Sequence, residues 1–247
     1  MGKLVDPFII FVAGPNGSGK TTMINTLQTH FEKPIEYLCP DDIEKKIKDL
    51  YHDPVERSII ARETTVELKQ KLVENQESFI LESVGSHPSH AEFLEDAKEK
   101  GYTISTIFIT TENPDINVER VAHRVETGGH NVPKDKIYLR YEKTMENIIN
   151  YIEVSDCILI LDNSNEHYEA VFLKSDDRIT VLVEKEWVKE YIENKLDDLE
   201  IDYEVKSFDE FDYDDFEKSE LLDIFDEYRN RDNEQPYDPY DSYDSFE

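Results

Sequence analysis

The sequence predicts an α/β fold, a parallel sheet flanked by helices, and three observations carry that reading. Short apolar runs of strand length recur along the chain, and each gap between them contains helical periodicity. The first run is continuously apolar, as a strand buried on both faces must be. That run ends in a glycine-rich turn that opens a helix, an order that suits a loop built to hold an anion. Connections of these lengths also suit right-handed crossovers.

In chain order, Phe8 to Ala13 reads as the first strand and Thr21 to about Phe31 as the first helix. Further strand-length runs follow at Ile35 to Cys39, Phe79 to Leu81, Ile104 to Ile109 and Cys157 to Leu161. The longer helical stretches are Asp53 to about Gln76, Pro88 to Lys100, Pro114 to Val125 and Lys134 to Tyr151. In the first of these, Val55, Ile59, Ile60, Val66, Leu68 and Leu72 recur at helical spacing and predict one buried stripe. The polar break from Glu126 to Pro133, with Gly128, Gly129 and His130 at its centre, reads as a lid between two helices. Beyond Asp162, Glu169 to Leu173 and Ile179 to Val183 flank Ser175-Asp176-Asp177 as a hairpin, and Lys185 to Leu196 reads as a helix. The expected organisation is a main domain over 1–165, a hairpin-and-helix extension over 166–196 and an acidic tail over 197–247.

A chain of 247 residues with 38% apolar content suits one α/β domain with a small appendage. Its formal net charge is −30, and residues 197–247 alone hold 21 Asp and Glu against 4 Lys and Arg. Such a surface repels phosphate backbones and anionic membranes, so neither nucleic acid nor lipid is an expected partner. The tail mixes its carboxylates with Tyr and Phe and buries too little apolar area to offset its ordering entropy; disorder is expected, with a short helix at Phe216 to Tyr228. Two cysteines, Cys39 and Cys157, make no disulfide framework. No apolar run approaches the roughly 20 residues a membrane span requires. A soluble cytoplasmic protein is the reading.

Gly14-Pro15-Asn16-Gly17-Ser18-Gly19-Lys20-Thr21-Thr22 is the most specific feature, a P-loop following a strand and opening a helix. Its backbone N–H groups cradle nucleotide phosphates, Lys20 reaches the terminal ones, and the Thr21 hydroxyl is available to Mg²⁺. Only 8 glycines occur in the chain, and three of them lie here. The loop makes this a P-loop NTPase-like fold and predicts binding of ATP or a close relative.

Ligands collect beyond the carboxyl ends of parallel strands, so the residues after each run are the candidates for chemistry. Phosphoryl transfer to a hydroxyl needs a carboxylate base and cations on the moving group. Asp41 is the candidate base; its competing role is to cap the helix expected near Ile43, for which Asp42 is better placed. Glu82, at the end of the third run, is a candidate for metal or acceptor binding. Arg120 and Arg124 share a helix face leading into the lid, and Arg140 follows on the next helix. They read either as clamps on the γ-phosphate or as partners for the abundant carboxylates. Asp162 follows an apolar strand as a Walker B acid does, but it comes after the lid, which favours a structural or adenine-proximal role. His130 reads as a hydrogen-bonding residue of the lid.

Together these residues resemble the zeta toxin family of P-loop kinases, particularly its shorter members. The resemblance spans residues 6 to 165. It rests on the P-loop, Cys39-Pro40-Asp41, Glu82, Arg120-Val121-Ala122-His123-Arg124-Val125, Gly128-Gly129-His130-Asn131-Val132-Pro133, Ile137 with Arg140-Tyr141, and Asp162-Asn163-Ser164. It implies a kinase that transfers the ATP γ-phosphate to a small-molecule acceptor, in the toxin members a hydroxyl of UDP-N-acetylglucosamine; an antitoxin or another protein is a candidate partner. By the same resemblance Lys20 and Thr21 bind phosphate and Mg²⁺, Asp41 is the base, Glu82 helps hold the acceptor, and Arg124 and Arg140 stabilise the moving phosphate; Arg120 and His130 are further substrate-binding candidates. Cys39 stands where the family has Asn, and Ser83-Val84 stands where it has Thr-Thr, both on the expected acceptor side. Other readings consistent with the P-loop are a nucleotide hydrolase, a nucleic-acid end kinase, and an ATP-dependent switch whose tail recruits a partner.

Overall fold

The computed structural model describes residues 7–31, 34–129, 131–165, 167–175 and 178–206. His130, the hairpin tip at Asp176 and Asp177, and the tail from residue 207, including Phe216 to Tyr228, lie outside the described residues.

Because Phe8–Ala13 is apolar on both sides of its pleat, the strand it forms, β1, can take the centre of the sheet. It pairs in parallel with β3 (Phe79–Ser83) on one side and β4 (Thr103–Thr110) on the other. β2 (Glu36–Leu38) adds outside β3, and β5 (Cys157–Asp162) outside β4, both in parallel. The remaining strands are β6 (Glu169–Ser175), antiparallel to β5, then β7 (Arg178–Val181), antiparallel to β6, and β8 (Glu204–Val205), parallel to β7. The order across the sheet is β2-β3-β1-β4-β5-β6-β7-β8. The hairpin therefore continues the main sheet. The first residues of the segment read as a disordered tail are structured as well, because Glu204 and Val205 find a partner in Thr180 and Val181.

Side-chain alternation along β1 divides the interior into two layers. Ile9, Phe11 and Ala13 face a core with Phe79, Phe108, Tyr151, Ile152 and Trp187. Ile10 and Val12 face Met23, Ile24 and Leu27 of α1 (Lys20–His30). Between α1 and β3 the chain forms α2 (Pro40–Lys46) and α3 (Pro54–Glu74); α4 (Ser89–Glu99) joins β3 to β4. The segment after β4 forms α5 (Pro114–Glu126), α6 (Lys134–Glu146) and α7 (Ile148–Val154). After β7, residues 186–198 are helical throughout, as α8 (Glu186–Val188), a π-helical turn (Lys189–Glu193) and α9 (Asn194–Asp198).

Three local expectations are corrected. The stretch read as one helix from Lys134 to Tyr151 divides at Asn147, whose side-chain amide donates to the Gly85 carbonyl instead of facing solvent. The helix after β2 starts at Pro40, three residues early, with Cys39 as its N-cap; Asp42 sits in the first turn and pairs with Lys45 at 2.9 Å. Pro fits there because a first-turn N–H has no intrahelical partner to lose. The predicted stripe on α3 is not buried as a whole. Asp53 caps that helix through the N–H groups of Val55 and Glu56, but Val55 is 69%, Ile59 42% and Val66 44% exposed. α3 lies against α2 and the edge strand β2, which cover only a narrow side of it: Ala61, Thr65 and Val73 are buried, with Leu68 and Leu72 partly covered.

Asp162 joins the sheet to its C-terminal additions. Its side chain is 1% exposed and accepts from Lys185 Nζ at 2.7 Å, Trp187 Nε1 at 3.0 Å and the Ser164 backbone N–H at 2.8 Å, with the Ser164 hydroxyl also donating. Burial works to raise its pKa, but the bonds from Lys185, Ser164 and Trp187 outweigh burial and hold the carboxyl below the ordinary 3.8. Its stabilising contribution is thus present at neutral pH and lost as pH falls below the unfolded carboxyl's range. Asp162→Asn should lower stability by about 3 kcal/mol at pH 7, as expected for breaking a buried ion pair. In denaturant unfolding followed by circular dichroism, the gap to wild type should narrow as pH falls toward 3; a gap independent of pH would contradict the role given to the charge.

Candidate active site

β1 is where the strand order reverses, because the chain goes from it to β2 on one side and later crosses from β3 to β4 on the other. A crevice opens at the carboxyl end of such a strand, and the Gly14–Thr21 loop occupies it. Gly14, with φ of +148°, leaves no space for a Cβ, which would stand 1.9 Å from the Ile109 carbonyl oxygen of β4. At Gly19, with φ of +100°, a Cβ would stand 2.5 Å from Asn163 Nδ2 and 2.8 Å from the Tyr168 hydroxyl. Glycine is required at both positions by conformation and by space.

The loop is braced from three directions. Asn163 Nδ2 donates to the Ser18 carbonyl at 2.9 Å and Tyr168 to the Gly19 carbonyl at 2.9 Å, both from the turn after β5. Asn117 of α5 donates to the Asn16 carbonyl at 2.8 Å and is itself held by the Thr111 hydroxyl at 2.5 Å. Arg140 of α6 donates to Asn16 Oδ1 at 3.1 Å. Asn117 and Tyr168 are site-building residues that motif reasoning passed over, and Asn163 entered it only as part of the family resemblance, with no role assigned. Asn117 had a signal: it is a fully buried amide four residues before Val121, on the inward stripe of an otherwise apolar helix face.

Lys20 is 7% exposed, and its ammonium donates to the Gly14 carbonyl at 2.9 Å and the Pro15 carbonyl at 3.0 Å. Burial pushes its pKa below the usual lysine value; Glu82, Asp41 and Cys39 act in the opposite direction, and Arg124 adds to the lowering. Residues from the end of β3, the start of α2 and the lid helix α5 therefore share one electrostatic neighbourhood with the P-loop lysine. Asp41 is exposed, in the first turn of α2, so a ligand can reach it. Thr21 is exposed at the start of α1, and Thr22 is half-buried beside it.

Glu82 receives a hydrogen bond from the Tyr37 hydroxyl, a contact that the sequence reading did not anticipate. Its neighbour Ser83 points to the other face of β3, where its hydroxyl meets His90 Nε2 at 2.9 Å and accepts from the Gly85 N–H at 3.1 Å. The departure from the family pattern at Ser83 thus pins the turn into α4 and lies away from Glu82. Burial, with Lys69 and His87 adding, lowers the His90 pKa to about 4, so this pair is neutral at physiological pH.

The three arginines separate. Arg124 joins the Lys20 neighbourhood, and Arg140 sits on the P-loop through Asn16. Arg120 instead donates to the Asn165 carbonyl at 3.4 Å, on the rim formed by the turn after β5, away from Glu82 and Asp41. α5 and α6 carry a small core of their own, Val121, Val132 and Ile137 with Val118 against it, which sets the two arginine-bearing helices relative to each other. Gly129 is packed on Arg124, where a Cβ would stand 2.5 Å from its Cγ.

The string Asn194-Lys195-Leu196-Asp197 has the spelling of the guanine-reading motif of GTPases, but its placement excludes that role. The helical segment 186–198 starts beside Asp162 at the carboxyl edge and leads back to β8, which runs parallel to β7; Leu196 is fully buried. The motif therefore ends up at the opposite edge of the sheet from the P-loop. Among the described residues no three His, Cys, Asp or Glu side chains gather as a metal site, and no helix is long and apolar enough to cross a membrane.

A chain of the PezAT chromosomal toxin–antitoxin system of Streptococcus pneumoniae is similar over 93% of this chain and 87% of its own, at 18% identity and a TM-score of 0.53. The AvrRxo1-ORF1:-ORF2 structure with ATP is similar over 77% of this chain and 64% of that one, at 13% identity and a TM-score of 0.62. Both likenesses establish the fold. An uncharacterized protein of Haemophilus influenzae is 30% identical over 132 residues, 53% of this chain and 91% of that protein. The Zeta toxin family model matches residues 3–170, two thirds of the chain and every residue that surrounds Lys20, so the chain belongs to the zeta toxin family, with a nucleotide-binding, kinase-like fold.

Proposed function

We propose that this protein is an ATP-dependent phosphotransferase that moves the γ-phosphoryl group to a hydroxyl of a small metabolite, with a nucleotide sugar of the UDP-N-acetylglucosamine type as the acceptor to test first. The observation that carries the proposal is the placement of Glu82 at the end of β3 and exposed Asp41 in the first turn of α2, whose charges, with that of Arg124, act on the buried Lys20 ammonium. Arginines serve transfer and hydrolysis alike; an exposed carboxylate able to take a hydroxyl proton, with a second carboxylate to hold the acceptor, is what transfer to an alcohol calls for.

In this mechanism the loop N–H groups and the positive end of α1 hold the phosphates, and Lys20 turns from the Gly14 and Pro15 carbonyls toward the terminal phosphate. Asp41 accepts the proton of the acceptor hydroxyl as its oxygen bonds to Pγ, and the bond from Pγ to the bridging oxygen breaks, releasing ADP. Glu82 fixes the acceptor. Arg124 and Arg140 neutralise charge on the equatorial oxygens, where a planar guanidinium matches the phosphoryl group. Mg²⁺ supplies further charge neutralisation when bound. The exposed Thr21 hydroxyl suits a hard cation held chiefly by the nucleotide and water, which agrees with the absence of a carboxylate cluster among the described residues.

We extend the proposal to a protein partner of antitoxin type. Its support is the likeness to PezAT, described as a toxin–antitoxin system, and to the two-component AvrRxo1-ORF1:-ORF2 structure.

Incubation with γ-labelled ATP and a metabolite extract containing nucleotide sugars should give a labelled organic phosphate. Release of inorganic phosphate alone, unchanged by the extract, would replace the kinase with a hydrolase. Lys20→Ala should reduce transfer by at least about a hundredfold, the scale of removing one transition-state donor. Asp41→Asn should keep ATP affinity and reduce transfer about 10²- to 10⁴-fold, the span of a general base; full activity would remove Asp41 from that role. Arg124→Ala should lower kcat by about a hundredfold or more with a small change in ATP affinity, since its charge is needed as the phosphoryl group moves. Loss confined to ATP binding in a fluorescence titration would contradict this assignment.

A further inference from the structure

Beside the P-loop, β2 contributes a single side chain that no part of the mechanism above uses. Tyr37 is half-buried, packed at the edge of the core around α1, and in register with Ile80 of β3, two residues before Glu82. Its hydroxyl donates to Glu82 Oε2. Cys39, the buried and extended N-cap of α2, lies two residues beyond Tyr37, and its thiol and the Tyr37 phenol act on each other electrostatically. Among the described residues no hydrogen bond engages Oε1 of Glu82. Tyr37 and Cys39 both flank the carboxylate from the β2 side, opposite the α5 and α6 arginines that serve the phosphate.

Resting on the kinase reading, we propose that Tyr37 is a positioning residue for the acceptor: by occupying Oε2 it holds the Glu82 carboxylate in one orientation and leaves Oε1 to receive a hydroxyl hydrogen of the acceptor. Burial first, then the charge of Glu82, pushes the phenol pKa far up, so Tyr37 remains a donor at every physiological pH. The Cys39 thiol is likewise pushed up to about 12 by burial and Glu82, so it stays uncharged. Neither group competes with Asp41 for the acceptor proton. The wall built by Tyr37, Cys39 and Glu82 then offers the acceptor a carboxylate oxygen and no cation, which selects an alcohol at this point over an anionic group.

The test is a double-mutant cycle on the full chain with γ-labelled ATP, varying UDP-N-acetylglucosamine or, if the extract labels another component, that component. Tyr37→Phe keeps the ring and its packing. It should raise the acceptor KM about tenfold, the scale of one hydrogen bond to a charged group, and leave the ATP KM within about twofold. In a Glu82→Gln background the same substitution should add less than about twofold, because a residue acting through Glu82 has nothing left to orient. Equal effects in both backgrounds, or a matching rise in the ATP KM, would show a general structural role and overturn the assignment. A wild-type chain that labels no acceptor overturns the kinase reading and Tyr37's role with it, whereas labelling with an unmoved acceptor KM in Tyr37→Phe overturns the Tyr37 role alone.

Discussion

The buried ammonium of Lys20 is the constraint on which the rest of this structure depends. A charge taken out of water must find partners, and Lys20 finds them in the Gly14 and Pro15 carbonyls and in the fields of Glu82 and Asp41. Those carbonyls point inward only because the loop adopts backbone conformations open to glycine, and the loop keeps that shape only because Asn163, Tyr168 and Asn117 bond its outer carbonyls. The braces come from two distant parts of the chain, the turn after β5 and α5. The loop is thus a product of the whole sheet.

Sheet order explains how such distant residues meet. With β1 between β3 and β4, the end of β3 delivers Glu82 to one side of the loop, while the chain leaving β4 delivers α5 and α6 with their arginines to the other. α2 brings Asp41 from the β2 side. Glu82 and Asp41 from one side and Arg124 from the other all act on the Lys20 ammonium, while Arg140 bonds the loop through Asn16. The antiparallel addition β6–β7 and the helix after it are locked on through Asp162, whose turn also carries Asn163. A residue resembling a Walker B acid is in this way structural, yet one residue from the P-loop brace.

Much of this was legible in the sequence. The parallel strands followed from continuous apolar runs, and the P-loop from its spacing after the first of them. Asp41 and Glu82 followed from asking what stands at strand ends, and Arg124 from the helix that leads into the glycine-rich break. What was not legible depended on which neighbour covers a surface. The α3 stripe had helical periodicity, but edge position left Val55, Ile59 and Val66 exposed. The break at Asn147 arises from its bond to Gly85, a residue 62 positions away. Tyr37 belongs to a three-residue strand whose role appears only once β2 lies beside β3. Arg120 and Arg124 are equivalent on a helical wheel, but the turn after β5 draws Arg120 aside.

In the proposed reaction the groups around Lys20 direct the γ-phosphoryl group to an alcohol and away from water. Phosphorus NMR of one reaction containing the full chain, ATP, Mg²⁺ and UDP-N-acetylglucosamine measures that partition directly. The account predicts a new phosphomonoester resonance growing in step with ADP, with little inorganic phosphate. Inorganic phosphate growing in step with ADP, and no new ester with this or any acceptor recovered from the extract, would contradict it.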